Sequence, residues 1–287
     1  MSACKSERLT AMAREMRLIQ CEMSHAFPCY LGSSLSVTDI LAVLYGDILQ
    51  VTPENPKDLN RDVLVLSKGH ASPALYAALF LKGFIPKEDL LRHCTVESPI
   101  YYHPSNKIPG VELATGSLGQ GLNFGLGTAL AQKSSGYAGR TFVILGDGEL
   151  NEGSNWEAIL AAPGFELGNL TAIVDRNGIQ ANKKTEDLIP LDDLAAKWRA
   201  FNWRVEVVDG HDIDQLHSVL SAPAQPQSRP LAVIANTVRN KGISFQEGRI
   251  DTWNVQLTDD DFARACAEIR GEGAQQGVGQ SHAGFRE

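Results

Sequence analysis

The chain has 287 residues, 43% hydrophobic and 21% charged, an ordinary globular composition long enough to bury a sizeable core. Acidic residues outnumber basic ones, 34 to 26, for a net charge of −8. That balance argues against a nucleic-acid binder, which needs a basic surface to displace counterions, and against binding to an anionic membrane surface. The charged opening segment (Lys5, Glu7, Arg8, Arg14, Glu15, Arg17) holds no signal-peptide core, and the uncharged stretch Leu113–Gln132 is too rich in Gly, Asn and Gln to span a membrane. Cys4, Cys21, Cys29, Cys94 and Cys266 are scattered without a C-x-x-C pair and read as reduced thiols of a cytosolic protein.

Leu9, Met12, Ala13, Met16, Ile19 and Met23 recur on one helical face and predict a core-packing helix over 9–23. Ser36 and Asp39 have the spacing of a capping box ahead of Ile40, Leu41, Val43 and Leu44, so a helix is expected to start there. Short apolar runs then alternate with helical patterns. Strands are expected at Val63–Leu66, Thr141–Leu145, Leu170–Val174, Val205–Val208 and Leu231–Ala235. Helices are expected at about Ser72–Leu81, Asn155–Ala162, Leu191–Ala200 and Ile213–Leu220, with Trp156, Trp198 and Trp203 as core. Alternating strands and helices imply an α/β fold, a mostly parallel sheet covered on both faces, over one domain at 1–270. Residues 271–287, rich in Gly and Gln, are expected to be a flexible tail.

Parallel α/β sheets bind ligands beyond the carboxyl ends of their strands. After TFVIL comes Gly146-Asp147-Gly148-Glu149-Leu150-Asn151-Glu152-Gly153, and after the next strand Asp175-Arg176-Asn177-Gly178-Ile179. Adjacent strands would bring Asp147 and Asn177 together, a carboxylate and an amide oxygen suited to Mg²⁺ or Ca²⁺. Asp147 is expected to face solvent rather than prop the core. Each piece alone also reads as a simple turn, and Glu149 and Glu152 as acidic residues favouring a helix N-terminus. Cys29 reads as a small buried thiol.

Together, GDG and an Asn about thirty residues later resemble the thiamine-diphosphate fingerprint. Further motifs narrow the resemblance to the transketolase family: Leu66-Ser67-Lys68-Gly69-His70-Ala71, His103-Pro104, Thr115-Gly116-Ser117-Leu118-Gly119-Gln120-Gly121, Trp156-Glu157-Ala158, and Asn236-Thr237-Val238 with Lys241-Gly242. The resemblance spans about residues 10–265 and implies a three-layer thiamine-diphosphate-binding fold. It implies that Asp147, Asn177 and the main-chain oxygen of Ile179 hold the metal. It also implies that His70, Gly116, Ser117, Leu118, Gly146, Gly148 and Glu149 line the cofactor site, with His70 and Gly148 at the diphosphate, and that His70 and His103 serve catalysis, His103 facing the reacting carbon.

The resemblance further implies what is missing. Full transketolases are more than twice as long, and a second domain binds the pyrimidine and supplies the glutamate that activates it. This chain therefore resembles the N-terminal subunit of a split, two-component enzyme. The partner would be a C-terminal subunit carrying that pyrimidine-binding domain and glutamate, the assembly a cytoplasmic heterotetramer of two copies of each chain, and the reaction two-carbon transfer between a small-molecule donor and acceptor. Two departures stand out. Tyr30 and Asn254 occupy positions where the family has histidines at the donor site, and His25 lies out of register. A pyruvate-derived acetyl transfer with decarboxylation, or a non-catalytic regulatory subunit, are the alternatives.

Overall fold

The computed structural model describes residues 3–223 and 228–272. The helices are α1 (Ala3–Ala26), α2 (Leu31–Ser36), α3 (Thr38–Val43), α4 (Ser72–Leu81), α5 (Lys87–Leu91), α6 (Gly121–Ser135), α7 (Gly153–Gly164), α8 (Thr185–Leu188), α9 (Leu194–Ala200), α10 (Ile213–Leu220) and α11 (Asp259–Arg270). The strands are β1 (Val63–Leu66), β2 (Thr141–Gly146), β3 (Leu170–Arg176), β4 (Ile179–Gln180), β5 (Lys183–Lys184), β6 (Arg204–Asp209) and β7 (Leu231–Asn236). Five strands form one parallel sheet in the order β1-β2-β3-β7-β6, and β4 and β5 form a small antiparallel hairpin.

Alternation along the strands builds a core on each face. Leu64, Leu66, Phe142, Ile144, Ile173 and Val233 pack under α1, α3, α4 and α10. Val63, Val65, Val143, Leu145, Ala172 and Val174 pack under α6, α7 and α9. The result is a three-layer α/β sandwich, the fold class read from the sequence. A third core joins α1 and α2 to α11 through Cys21, Cys29, Leu35, Ala265, Cys266 and Ile269.

The predicted strands are all present, several of them one or two residues longer at the carboxyl end, and on β2 and β3 those extra residues carry Gly146, Asp175 and Arg176 toward the site. The Ser36–Asp39 capping box is not formed. Ser36 ends α2, and its Oγ donates to Asp175 Oδ2 at 2.7 Å, while the Asp39 carboxylate takes Arg17 and His211. α9 starts at Leu194 rather than Leu191, where Asp193 caps it by accepting the Ala196 N–H at 2.9 Å. Trp198 and Trp203 are fully buried, edge to face. Trp156 is only partly buried, with its Nε1 donating to the Leu150 carbonyl. Gly271 closes α11 in a left-handed conformation, and the tail from residue 273 onward lies outside the described residues.

Candidate active site

The carboxyl ends of β1, β2, β3 and β7 open onto a cleft. Of the residues singled out in the sequence, His70, Leu118, Gly146, Asp147, Gly148, Glu149, Asn177 and Ile179 line it. Gly146 on β2 is in register with Asp175 on β3, which places the turn carrying Asp147 beside the turn carrying Asn177.

Asp147 is buried, not solvent-facing as the strand-end position suggested. One carboxylate oxygen accepts the Gly148 N–H at 2.7 Å; the other accepts the Gly178 N–H at 2.7 Å and lies 3.4 Å from Arg176. The turn folds back over the side chain to satisfy those amides, which is what removes it from water. Burial, and then the nearby Asp175 charge, push the carboxyl up to about 6. Asn177 Oδ1 accepts the Ile179 N–H at 2.9 Å. Gly148 is required sterically, since a Cβ there would come within 2.6 Å of the Gln180 side chain.

Glu149 is neither a solvated cap residue nor free to contact a ligand with its carboxylate. It is buried, accepts from Ser67 Oγ, the Gly119 N–H (2.9 Å) and the Gly146 N–H (3.0 Å), and so ties the loops after β1 and β2 to the segment before α6. Glu152 is the N-cap residue of α7 without a side-chain cap bond.

Beneath the cleft lies a polar hub that sequence reasoning missed. Asp175 and Lys68 form a fully buried ion pair. Asp175 also accepts from Ser36 Oγ, Thr237 Oγ1 and Asn177 Nδ2, and Lys68 donates to the Ser33 carbonyl at 3.2 Å. Although burial opposes it, the Lys68 ammonium holds the Asp175 carboxyl below the ordinary carboxylate range. The one available signal was a charged residue terminating each apolar run, LTAIVD and VLVLSK.

Arg239, Ser33, Gln180 and Trp253 also line the cleft and were not singled out. Arg239 is buried and donates to the carbonyls of Ala181 (2.8 Å) and Thr252 (2.7 Å), with its guanidinium over the Trp253 ring. Its Nε has no hydrogen-bond partner among the described residues.

At the mouth, Tyr30 packs against the rings of His70, His103, Tyr102 and Trp253, with centroids 5.2–6.2 Å apart. His70 Nε2 lies 3.0 Å from Ser33 Oγ. Burial, then the charges of Lys68 and His103, push its pKa down to about 3; burial also lowers that of His103. His103 lies against Gly116, whose φ of +144° only glycine adopts readily and whose Cβ would come within 3.0 Å of the imidazole. Gly116, Ser117 and His103 are not among the residues that line the cleft, and Asn254 is exposed next to Trp253. His25 sits apart, stacked on Phe262. Cys29 is buried with its thiol pushed up to about 12 by burial, an inert packing residue.

Residues 10–272 match the family described as transketolase, thiamine diphosphate binding domain. This chain belongs to the transketolase family. It is similar to the 6-deoxy-6-sulfo-D-fructose transketolase subunit SqwG of Clostridium sp. (strain MSTE9), 41% identical over 85% of this chain and 90% of that protein. It is also similar to an apulose-4-phosphate transketolase subunit from Actinobacillus succinogenes, 40% identical over 84% of this chain and 87% of that protein. Among solved structures, the transketolase of Pichia stipitis in complex with sedoheptulose 7-phosphate superposes with a TM-score of 0.87 at 28% identity, over 92% of this chain and 41% of that one. The Campylobacter jejuni transketolase gives 0.84 at 28% identity, over 94% and 43%. The chain thus spans about two fifths of those solved transketolases, but nearly the whole length of the subunit-type relatives. As a transketolase-family subunit it is a thiamine-diphosphate-dependent transferase, the reading its motifs implied.

Proposed function

We propose that this chain is the diphosphate-binding subunit of a two-component transketolase-like carboligase. The carrying observation is the convergence of Asp147, Asn177 and Ile179 with Arg239 and Lys68 on one cleft at the strand ends. A carboxylate, an amide oxygen and a main-chain carbonyl are the hard oxygen donors that Mg²⁺ or Ca²⁺ takes, with coordination positions left for phosphate oxygens. Arg239, whose guanidinium donates only to the main-chain carbonyls of Ala181 and Thr252, brings a positive charge to the cleft wall, which fits an anionic group. The residues present therefore fit a metal and a diphosphate. Asp147, Asn177 and the Ile179 carbonyl would hold the metal; Gly146, Gly148, Leu118 and His70 would line the diphosphate end.

When bound, thiamine diphosphate supplies the carbanion chemistry that breaks and makes the carbon–carbon bond; the protein binds, orients and excludes water. His70 is kept neutral and oriented by Ser33, so it presents a neutral imidazole at the mouth. His103, packed on Gly116, is placed to exchange a proton with a donor hydroxyl. Tyr30, packed against His70 and Trp253, and Asn254, next to Trp253 in the chain, would offer hydrogen bonds there without a positive charge near neutral pH.

The pyrimidine end of the cofactor and the activating glutamate would come from a C-terminal partner subunit, in a heterotetramer of two copies of each chain. The subunit naming of the relatives supports that division. The five free cysteines fit the cytoplasm. Co-purification with the product of a neighbouring reading frame, followed by assay of the complex with xylulose 5-phosphate, fructose 6-phosphate, 6-deoxy-6-sulfofructose and pyruvate, tests the reading. Two-carbon transfer from a ketose supports it; CO₂ release from pyruvate without ketose turnover overturns it.

A further inference from the structure

The loop after β7 carries Thr237 to Asp175 and Arg239 into the cleft, so its position decides whether the cleft is assembled. It is held from behind by a group far from the sheet centre. His211, in the turn between β6 and α10, has a side chain only 13% exposed. Its Nδ1 lies 2.8 Å from Asp39 Oδ2, and its Nε2 lies 2.8 Å from the backbone nitrogen of Val238. An amide N–H can only donate, so Nε2 must be the unprotonated acceptor. The proton then sits on Nδ1 and is donated to Asp39.

Asp39 also takes the Arg17 guanidinium, at 3.1 Å to Oδ1. Arg17 in turn donates through Nε to the Lys241 carbonyl at 3.2 Å. The Asp39 carboxylate therefore grips the loop at two points, through His211 at Val238 and through Arg17 at Lys241. Arg239 and Asn240 lie between them. The turn containing His211 seats directly on the loop: the Gly210 N–H donates to the Asn236 carbonyl at 2.7 Å, and a Cβ on Gly210 would come within 2.3 Å of Thr237.

We propose that His211 is a positioning residue for the cleft, its unprotonated Nε2 fixing Val238 and thereby the placement of Arg239. This rests on the reading of the cleft as a diphosphate site only for its consequence on cofactor binding; the placement of the loop stands apart from it.

Two isosteric variants separate the two bonds. In His211→Asn the amide N–H₂ stands where Nδ1 was, so Asp39 keeps its donor and Val238 loses its acceptor. In His211→Gln the carbonyl reaches the Nε2 position, so Val238 keeps its acceptor and Asp39 loses its donor. On the full chain, amide exchange at Val238 should quicken about tenfold in His211→Asn, the loss of one hydrogen bond, and stay near wild type in His211→Gln. Binding of thiamine diphosphate with Mg²⁺, read by calorimetry, should follow the same order, about tenfold weaker in His211→Asn. A long-range ¹H–¹⁵N correlation on the wild-type chain should report Nε2 unprotonated and Nδ1 protonated, whether or not either variant folds. A protonated Nε2, or Val238 exchange in His211→Gln as fast as in His211→Asn, overturns the proposal. Failure of the wild-type chain to bind thiamine diphosphate would instead count against the diphosphate reading, with the tautomer and exchange results still deciding the role of His211.

Discussion

Asn177 Nδ2 donates to Asp175 Oδ2 at 2.8 Å, which turns the other end of the amide, Oδ1, toward the Ile179 N–H and the cleft. A buried carboxylate two residues upstream thus fixes which face of the amide is offered as a donor oxygen. Lys68 neutralises that carboxylate, so one ion pair orients a candidate metal ligand and joins the end of β1 to β3.

Removing the charge of Asp175 should therefore be costly. Asp175→Asn keeps the shape but leaves the Lys68 ammonium buried without a counter-charge. A stability loss of about 3 kcal/mol or more is expected in urea denaturation. A variant as stable as wild type would show that the pair is dispensable.

Asp147→Ala is expected to have two effects, because its carboxylate accepts two backbone N–H groups as well as facing the cleft. Metal-dependent cofactor binding should be lost. Stability should also fall by about 1–3 kcal/mol, the cost of stranding the Gly148 and Gly178 amides, measurable by thermal denaturation.

His70 carries a pH signature. Its folded pKa of about 3 lies below the unfolded value near 6.5. Between those values the unfolded chain binds the extra proton, so stability rises with pH over that window and falls on acidification from about 6.5. The denaturation midpoint should drop between about pH 7.5 and pH 5, and the drop should be smaller in His70→Gln. In an NMR titration the His70 ring should stay neutral down to about pH 5; an inflection near 6.5 would contradict its burial.

Tyr30 packs against His70 and Trp253, and Asn254 follows Trp253 in the chain; in the proposed reading they stand in place of ionisable imidazoles. Each replacement removes a possible charge-assisted contact to a donor hydroxyl. In the proposed two-chain complex, Tyr30→His combined with Asn254→His should raise kcat/KM for fructose 6-phosphate by about tenfold or more. An unchanged ratio between fructose 6-phosphate and 6-deoxy-6-sulfofructose would show that these two positions do not set donor choice.

Much of this site was legible because its local chemistry is local in sequence. Asp147 and Asn177 stand at the ends of apolar runs with glycines beside them, and the alternation of strands and helices places them on neighbouring strands. The hub was not legible, because Lys68, Asp175, Ser36 and Thr237 meet only through the sheet order and each reads singly as a strand-end or helix polar residue. Arg239 was hidden for the same reason, with Ala181 and Thr252 as partners across loops. The solvent-facing expectation for Asp147 failed because strand-end position says nothing about a turn folding back over the side chain. α6 went unread because glycines dilute its helical pattern, yet Gly125 is what lets it approach β2, a Cβ there falling 2.3 Å from Val143.

Everything proposed for the cleft at the ends of β2 and β3 turns on its holding the diphosphate through a divalent metal. Calorimetric titration of the full chain with thiamine diphosphate, with Mg²⁺ and with a chelator, measures this directly. One site per chain, binding that requires the metal, and no binding by Asp147→Ala are the expected results. Binding of equal strength with the chelator, or by Asp147→Ala, would contradict the assignment.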